Sequence, residues 1–405
     1  MRHGWYVVGC AFLVAVWGFG IGFYGPGLYL ASLHVVHGWP IALLSLAVSV
    51  YYLCGAVGTT VIGDAIERFG ARPVVTVGVL AMALGVSTLA LVQSLWQVYP
   101  AFIVMAAGWA AMNGAAVSTV VAPWFAERRG LALSLALNGG SFGGILITPL
   151  LAFLTDRLGF QHGLWLAAGG MLATLLPTVL VVLRRRPEEQ PSSATVAETW
   201  TRRRALRDRA FLTIAIPFAL AFVAQLGVLT HQISYLLPIL GREGAALMVS
   251  VTTVAAVAGR TLTGAFVDRV DGRLVACATF GLQAGALAVL VSAESRSALY
   301  LGTALFGLGV GNTNTLPAVI VQQEFPRASF PRLVSLAVGI NQFAFALGPA
   351  VFGVVRDWSG DYRLSFLLSG LIDVAAALGI LLGRRLRSVA SRQRSARSTE
   401  ASRWC

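Results

Sequence analysis

GDAIERFGAR (residues 63–72) and GAFVDRVDGR (residues 264–273) are two copies of one charged pattern, and each follows a long apolar run. The two copies begin 201 residues apart. Other residues repeat at nearly the same offset: Tyr99 with Tyr300, Gly108 with Gly309, Asn113 with Asn314, and Pro149 with Pro349. Repetition at this distance predicts two homologous halves, joined near the middle of the 405-residue chain.

The composition is that of a chain surrounded by lipid. Hydrophobic residues make up 57% of the sequence and charged residues only 12%, with a mean hydropathy of +0.76. An ordinary soluble domain has about a quarter charged residues. Neither the stretch between Trp5 and Gly63 nor that between Pro73 and Ala126 contains a charged side chain. Each of them is long enough for two membrane-spanning helices of about 20 residues, whereas a soluble helical core would need polar outer faces.

Extended along the chain, this pattern predicts an all-α integral membrane protein with twelve transmembrane helices. The predicted spans 1–12 cover residues 4–30, 40–62, 73–93, 97–122, 131–154, 163–183, 211–236, 245–266, 274–293, 299–323, 333–355 and 363–383. With the repeat, they predict four regions: a six-helix bundle at 1–183, a cytoplasmic linker at 184–210, a second bundle at 211–383, and a cytoplasmic tail at 384–405.

Arginine sets the orientation, because the chain contains no lysine. Of the 30 arginines, 24 lie at the termini, in the linker and in the loops on the same side, which we call the arginine-rich side. Five lie on the opposite, arginine-poor side, and Arg260 lies inside span 8. The positive-inside rule predicts that both termini are cytoplasmic. It also accounts for the net charge of +13 through membrane lipids as partners, without nucleic acid.

The sequence predicts neither an enzyme nor a bound cofactor or metal. Its cysteines are scattered and form neither a metal-binding spacing nor a disulfide framework: Cys10, Cys54, Cys277 and Cys405. No nucleophile–base cluster is present in the pattern. The first apolar run is too long for a cleaved signal peptide, so we expect it to remain as span 1.

The two charged loops resemble the G-x-x-x-D-R-x-G-R signature of the major facilitator superfamily. The first copy has Glu67 at the aspartate position, and the second has one extra residue before its last glycine. The resemblance implies two pseudo-symmetric six-helix bundles with a substrate site between them. It also implies that the loop charges act in gating, through exposed pairs worth about 0–1 kcal/mol; the alternative is topological anchoring alone. These residues are Glu67, Arg68, Arg72, Asp268, Arg269 and Arg273.

Arg260 is the residue that most needs an explanation. A charge in mid-span costs about 2.5–3.5 kcal/mol and usually faces a wet cavity or a partner. It lies about 12 Å along the helix from Asp268. The remaining acid within a span is Asp373, so a substrate carboxylate is the favoured partner, with a structural ion pair or carbonyl contact as the alternative.

A second resemblance narrows the substrate. HGWYVV (residues 3–8) and AGRTLTG (residues 258–264) resemble the monocarboxylate transporters and the oxalate/formate antiporter group. In that family an arginine of span 8 anchors the carboxylate, and the matching residue is Arg260. The aspartate that animal members carry one turn earlier is Ala256 here, and their lysine of span 1 has no counterpart.

Further polar residues at depth in the spans are candidates for the same substrate site, with interhelical hydrogen bonding as the alternative. His231 could also exchange a proton. The candidates are Tyr24, Asn113, His231, Gln232, Asn314 and Asn341.

The function predicted from the sequence is secondary active transport of small organic anions, monocarboxylates first, by alternating access as a symporter or antiporter. The alternatives are a carrier of a larger metabolite, such as a vitamin or aromatic acid, and a drug exporter of the same superfamily. We expect a monomer in a bacterial inner membrane, crossing it many times, with protons as a candidate coupling ion.

Overall fold

A computed structural model of the chain describes residues 2–125, 129–184, 202–264, 267–325 and 329–401. Within these ranges the regular structure is entirely helical. The α-helices are α1 (Arg2–Trp17), α2 (Gly25–His37), α3 (Ile41–Phe69), α4 (Ala71–Leu89), α5 (Leu95–Met112), α6 (Gly114–Val121), α7 (Arg129–Phe142), α8 (Thr148–Val182), α9 (Arg202–Ala205), α10 (Arg209–Gly264), α11 (Gly272–Ser292), α12 (Arg296–Thr313), α13 (Leu316–Glu324), α14 (Phe330–Ser359) and α15 (Arg363–Ala401). Short π-helices (Gly18–Tyr24, Gly143–Ile147) and 3₁₀-helices (Ala122–Trp124, Val267–Arg269) lie between them.

The predicted all-helical membrane fold is confirmed. Nine helical segments of the described chain are long and apolar enough to cross a membrane, and α12 with α13 forms a tenth that bends by 42°. Two of the nine, which include α8 and α10, each contain one residue with left-handed φ, Gly159 (80°) and Gly241 (72°). Each is therefore two spans, consistent with twelve. The breaks between spans 5 and 6 and between spans 7 and 8 fall within the predicted loops, but each is shorter than predicted, because one glycine suffices to turn the helix there.

Local sequence explains several helix ends. Ser94 and Gln97 form a capping box at the start of α5, and the Asp271 side chain accepts the Arg273 N–H at the start of α11. At the junction of α3 and α4, Gly70 has φ 91°, a conformation that side chains other than glycine rarely adopt. This requirement explains the glycine of the first charged loop.

The chain forms two compact units. Unit 1 comprises Met1–Ala194, Leu226–Val254 and Ala346–Ser365, and unit 2 comprises Thr195–Gln225, Ala255–Phe345 and Phe366–Cys405. The predicted boundaries at 183, 210 and 383 follow the sequence repeat and stay a prediction. Most of the predicted linker, residues 185–201, lies outside the described residues.

Within unit 1, glycines let the first and fifth predicted spans pack with their backbones close together. A Cβ on Gly20 would collide with the Ile147 side chain, and one on Gly143 would collide with the Val16 carbonyl. The contact lies where both helices widen into their π-helical segments. The two glycines therefore allow close packing of the backbones here.

Unit 1 also contains residues of both sequence halves, which meet at the arginine-poor side. The Asp357 carboxylate accepts the Ala42 N–H at 2.7 Å, and the Ser49 hydroxyl accepts the Ala350 N–H at 3.0 Å. Gly353 is in close contact with Ser45, since a Cβ there would collide with that side chain. The first turns of α3 and the last turns of α14 are therefore packed together on this side.

Candidate functional site

Arg260 lies near the end of α10, within unit 2, where two glycines bring α10 close to α12. A Cβ on Gly259 would collide with the Leu308 carbonyl, and one on Gly311 would collide with the Ala256 carbonyl. The Nε of Arg260 donates to the Gly311 carbonyl at 3.3 Å, and the side chain is exposed. The arginine is thus positioned by a glycine of the neighbouring helix.

The other predicted binding residues of unit 2 lie directly after α12 or on α14. Asn314 follows α12, the helix that contacts Arg260, and its Nδ2 donates to the Val310 carbonyl at 3.2 Å. Asn341 on α14 is buried, and its Oδ1 has no hydrogen-bond partner among the described residues. A buried amide oxygen without a hydrogen-bond donor costs free energy, and it suits a site where a donor group of another molecule can approach.

In unit 1, Asn113 has a clear structural use. Its Oδ1 accepts the N–H groups of Ala115 and Ala116 at the start of α6, and its Nδ2 donates to Thr59 at 2.6 Å. This is a helix N-cap. Tyr24, half-buried at the end of the first π-helix, stands beside Gly144 and contacts the Phe23 ring at 4.9 Å.

His231 and Gln232 are fully buried on α10, also in unit 1. His231 Nε2 lies 3.1 Å from the Pro349 carbonyl and 3.4 Å from the Ser45 hydroxyl. Gln232 exchanges hydrogen bonds with Thr252 at 3.0 and 3.3 Å. Asn113, His231 and Gln232 therefore bond different partners, and these bonds match the interhelical alternative.

The first charged loop ends α3 and begins α4. Glu67 and Arg68 are exposed, Arg72 is half-buried, and the Arg68 guanidinium lies 5.2 Å from the Phe69 ring centroid. In the second copy Arg269 is exposed in a 3₁₀ turn, and the side chain of Asp268 lies outside the described part of the chain.

Arg273 differs from this exposed group. Its side chain is fully buried, so the prediction of an exposed loop charge is wrong for it. Nε and Nη2 donate to the two carboxylate oxygens of Glu324 at 2.7 and 3.0 Å. Three carbonyls and one hydroxyl accept its remaining N–H groups: those of Ala210, Thr213 and Ile380, with the Thr213 Oγ1. The guanidinium joins α10, α11, α13 and α15.

Sequence reasoning missed the residues that complete this arginine-rich side of unit 2. Glu324 is the first acid after span 10, and it is half-buried as a residue. Asp271, the extra residue of the second charged loop, caps α11 and also accepts the Arg384 Nε at 2.7 Å. The extra residue in the second copy of the motif could have indicated this role, since Asp271 supplies the cap of α11.

The sequence profile of the Major Facilitator Superfamily matches residues 10–245 and 233–403. The chain belongs to this superfamily. The predicted resemblance to its monocarboxylate-transporter group is also confirmed. The chain is therefore a multi-pass membrane transporter by family and by the apolar helices described above.

Among curated proteins, human monocarboxylate transporter 11 is 29% identical over 337 residues, which are 78% of this chain and 69% of that protein. Bovine monocarboxylate transporter 13 is 24% identical over 94% of this chain and 88% of its own. The agnestins efflux protein AgnL12 of Paecilomyces divaricatus is 24% identical over 80% and 74%.

Solved structures agree in fold. A bacterial homologue of the human lysosomal transporter Spinster superposes with a TM-score of 0.76 over 95% of this chain and 97% of that one, at 13% identity. The nucleoside transporter NupG gives 0.74 over 94% and 99%, at 14% identity. The predicted twelve-helix fold of the superfamily is confirmed.

Proposed function

We propose that this chain is a secondary active transporter of small organic anions, monocarboxylates first, and that Arg260 binds the carboxylate. The observation that supports this most directly is the placement of Arg260. It is an exposed arginine in predicted span 8, which is otherwise uncharged, and its Nε donates to a backbone carbonyl of α12.

A guanidinium fixed in this way suits carboxylate binding. The hydrogen bond to Gly311 limits rotation of the guanidinium plane, so less side-chain entropy is lost when an anion binds. Arginine and carboxylate form paired, charge-assisted hydrogen bonds. The internal alternative, Asp373, is buried on α15 and takes part in none of the described ion pairs.

The relatives support the class of substrate. Two of those compared are named monocarboxylate transporters. The proposed role of Arg260 follows the resemblance of its segment to the span-8 arginine segment of that group. Ala256 stands where animal members have an aspartate, so coupling to protons would need another group. His231 is the candidate we propose for it, and Tyr24, Asn314 and Asn341 are those we propose to contact the body of the substrate.

The remaining features of the proposal follow the arginine distribution and the family. The chain works by alternating access, since binding that neutralises Arg260 lowers the barrier to rearrangement. We place it as a monomer in a bacterial inner membrane with both termini cytoplasmic. Its partners are the substrate anion and membrane lipids, with protons as the candidate coupling ion.

Uptake into proteoliposomes tests this function. Purified protein reconstituted into liposomes should exchange radiolabelled lactate or acetate at a saturable rate above that of protein-free liposomes. Unlabelled short monocarboxylates should compete, whereas the corresponding amides should not. If neutral sugars or organic cations compete and carboxylates do not, the anion assignment is wrong although transport itself remains.

A second candidate, a carrier of larger aromatic acids, is favoured by a cluster of rings in unit 1. Phe19 contacts Phe23 and Trp109 at centroid distances of 5.6 and 5.1 Å, and Phe23 lies 6.0 Å from Trp109. Phe19 and Phe23 are only half-buried, so an aromatic substrate could stack on them. Competition by indole-3-acetate or benzoate at lower concentration than acetate would favour this candidate.

A further inference from the structure

Unit 1 contains a cavity of about 380 Å³ at the arginine-poor side. Its walls come from the end of α2, the start of α3, the middle of α10 before Gly241, and the turn between α14 and α15. This volume lies within the range of small-molecule sites. All of its lining residues belong to unit 1, whereas Arg260 belongs to unit 2.

The lining of the cavity includes charged and phenolic side chains. These are Arg356 and Arg363 together with Asp361, Tyr235 and Tyr362. Counting histidine as neutral, two arginines and one aspartate leave the lining with one net positive charge. Apart from His34, Ser234 and Gly360, the rest of the wall is aliphatic. The combination suits a ligand with one negative charge and an apolar body.

Arg356 is the residue best placed to bind such an anion. Its Nη1 donates to Asp357 at 3.0 Å, and that carboxylate also accepts the Ala42 N–H. Its Nε is buried and has no hydrogen-bond partner among the described residues. A buried charged N–H without an acceptor costs free energy that an anionic oxygen would offset.

Two carboxylates near the cavity oppose an anion, those of Asp357 and Asp361, whereas the phenol of Tyr362 does not. Burial raises the pKa of Tyr362 to about 12, so its phenol stays neutral. Its ring lies over the Arg356 guanidinium at 5.6 Å and gives the cavity an aromatic face. The Asp361 carboxylate accepts the Arg363 N–H at 2.9 Å and limits the cavity to ligands of low charge.

We propose that this cavity is a second binding site, for a soluble monocarboxylate with an aromatic or branched apolar body, with Arg356 as its anchor. Because its walls come from both sequence halves, a bound anion joins the ends of α2 and α14 to the middle of α10. It stabilises the packing of the arginine-poor side and so regulates transport without occupying the Arg260 site. This second site does not depend on which substrate is transported.

Binding of 2-naphthoate to the purified full-length chain tests the site, using calorimetry in phosphatidylcholine nanodiscs. An Arg260→Ala background removes the proposed transport site. We expect saturable binding of 2-naphthoate in that background and none of neutral 2-naphthamide. Adding Arg356→Gln should weaken binding about tenfold or more, as expected for loss of a charge-assisted contact.

A pair of exposed neighbours gives a matched control that does not threaten folding. Val35 lines the cavity and is 58% exposed, while Val36 is 59% exposed and is not part of the lining. Val35→Trp should fill the cavity and abolish binding, and Val36→Trp should leave it unchanged. Equal loss in both variants would overturn the assignment.

The outcomes separate this site from the proposed function. If Arg260→Ala abolishes all 2-naphthoate binding, the second site does not exist, and the transport proposal is unaffected. If proteoliposomes fail to transport carboxylates but the cavity variants behave as described, the transport proposal is wrong and the second site stands. Equal binding of 2-naphthamide would overturn the anion specificity. Loss of binding on adding anionic phosphatidylglycerol would assign the cavity to a lipid headgroup and overturn the soluble ligand.

Discussion

Arg273 and Glu324 form a buried, bidentate ion pair, with Nε–Oε1 and Nη2–Oε2 distances of 2.7 and 3.0 Å. The guanidinium also donates hydrogen bonds to backbone carbonyls at the start of α10 and in the middle of α15. A Cβ on Gly383 would collide with the guanidinium, so the glycine provides its space. The pair and these hydrogen bonds hold together α10, α11, α13 and α15 on the arginine-rich side of unit 2.

Glu324→Gln should therefore be strongly destabilising. Removing one partner of a buried pair leaves an uncompensated charge and costs about 3–5 kcal/mol. Arg384→Gln is the matched control, because its pair with Asp271 is 47% and 30% exposed and such pairs contribute about 0–1 kcal/mol. Thermal unfolding midpoints of the purified variants measure both. Equal shifts would show that the buried pair has no special weight.

Packing at the arginine-poor side of unit 1 should depend on Gly353. A leucine there collides with Ser45 and pushes α14 away from α3. In a background without native cysteines, Ser49→Cys reports the change, because residue 49 is only 6% exposed. Gly353→Leu should raise its rate of maleimide labelling several-fold.

Gly339→Leu is the control for that experiment. It lies on the same helix, α14, but a Cβ there meets nothing within 4 Å. Its labelling rate should stay at that of the parent. An unchanged rate in Gly353→Leu as well would show that this side remains packed and that the contact at Ser45 is dispensable.

The twelve spans and the position of Arg260 could be predicted because both depend on local composition. Apolar runs of the required length are visible along the chain, and a lone arginine within one is conspicuous. The Arg273–Glu324 pair could not be predicted, since its members are 51 residues apart and meet only when α11 packs against α13. The sequence predicts an exposed loop position for Arg273, because it is the last residue of the second charged loop.

The tight turns at Gly159 and Gly241, within α8 and α10, were missed for a related reason. TDRLGFQHG (residues 155–163) and LGREG (residues 240–244) contain charges and glycines, which predict loops. Gly159 and Gly241 adopt positive φ in one residue, and the helix resumes on either side. The use of Asn113 as a helix cap was also missed, because helix α6 begins in the middle of a predicted span.

Asn113 offers a direct comparison of the structural and substrate-binding interpretations. Asn113→Ala removes the cap of α6 and should lower stability by about 0.5–2 kcal/mol. Asn113→Ser keeps a capping oxygen and should stay within a few tenths of the parent. Chemical unfolding of both variants measures this. If stability is unchanged in Asn113→Ala and substrate affinity falls, the residue serves the substrate.

Topology can be tested with enzyme fusions. Alkaline phosphatase fused after Arg387 should be inactive, because the arginine distribution places the C-terminus in the cytoplasm. The same reporter fused after Ser94, between α4 and α5 on the arginine-poor side, should be active. The reverse pattern would invert the orientation and place the cavity beside Arg356 on the inner face.

The last prediction concerns Arg260. Arg260→Ala should abolish carboxylate transport while the protein still inserts and folds, because the arginine lies at an exposed position. Loss of a charge-assisted contact costs about 1.5–3 kcal/mol, or roughly 10- to 150-fold in affinity. Arg260→Lys should recover only part of it, since an ammonium keeps the charge but not the planar pair of donors. Counterflow with labelled carboxylate, alongside thermal unfolding, measures both effects. A structural role predicts the opposite pattern, in which Arg260→Ala lowers the unfolding midpoint and the folded fraction binds carboxylate normally. That result would move the substrate contact to Tyr24, Asn314 or Asn341.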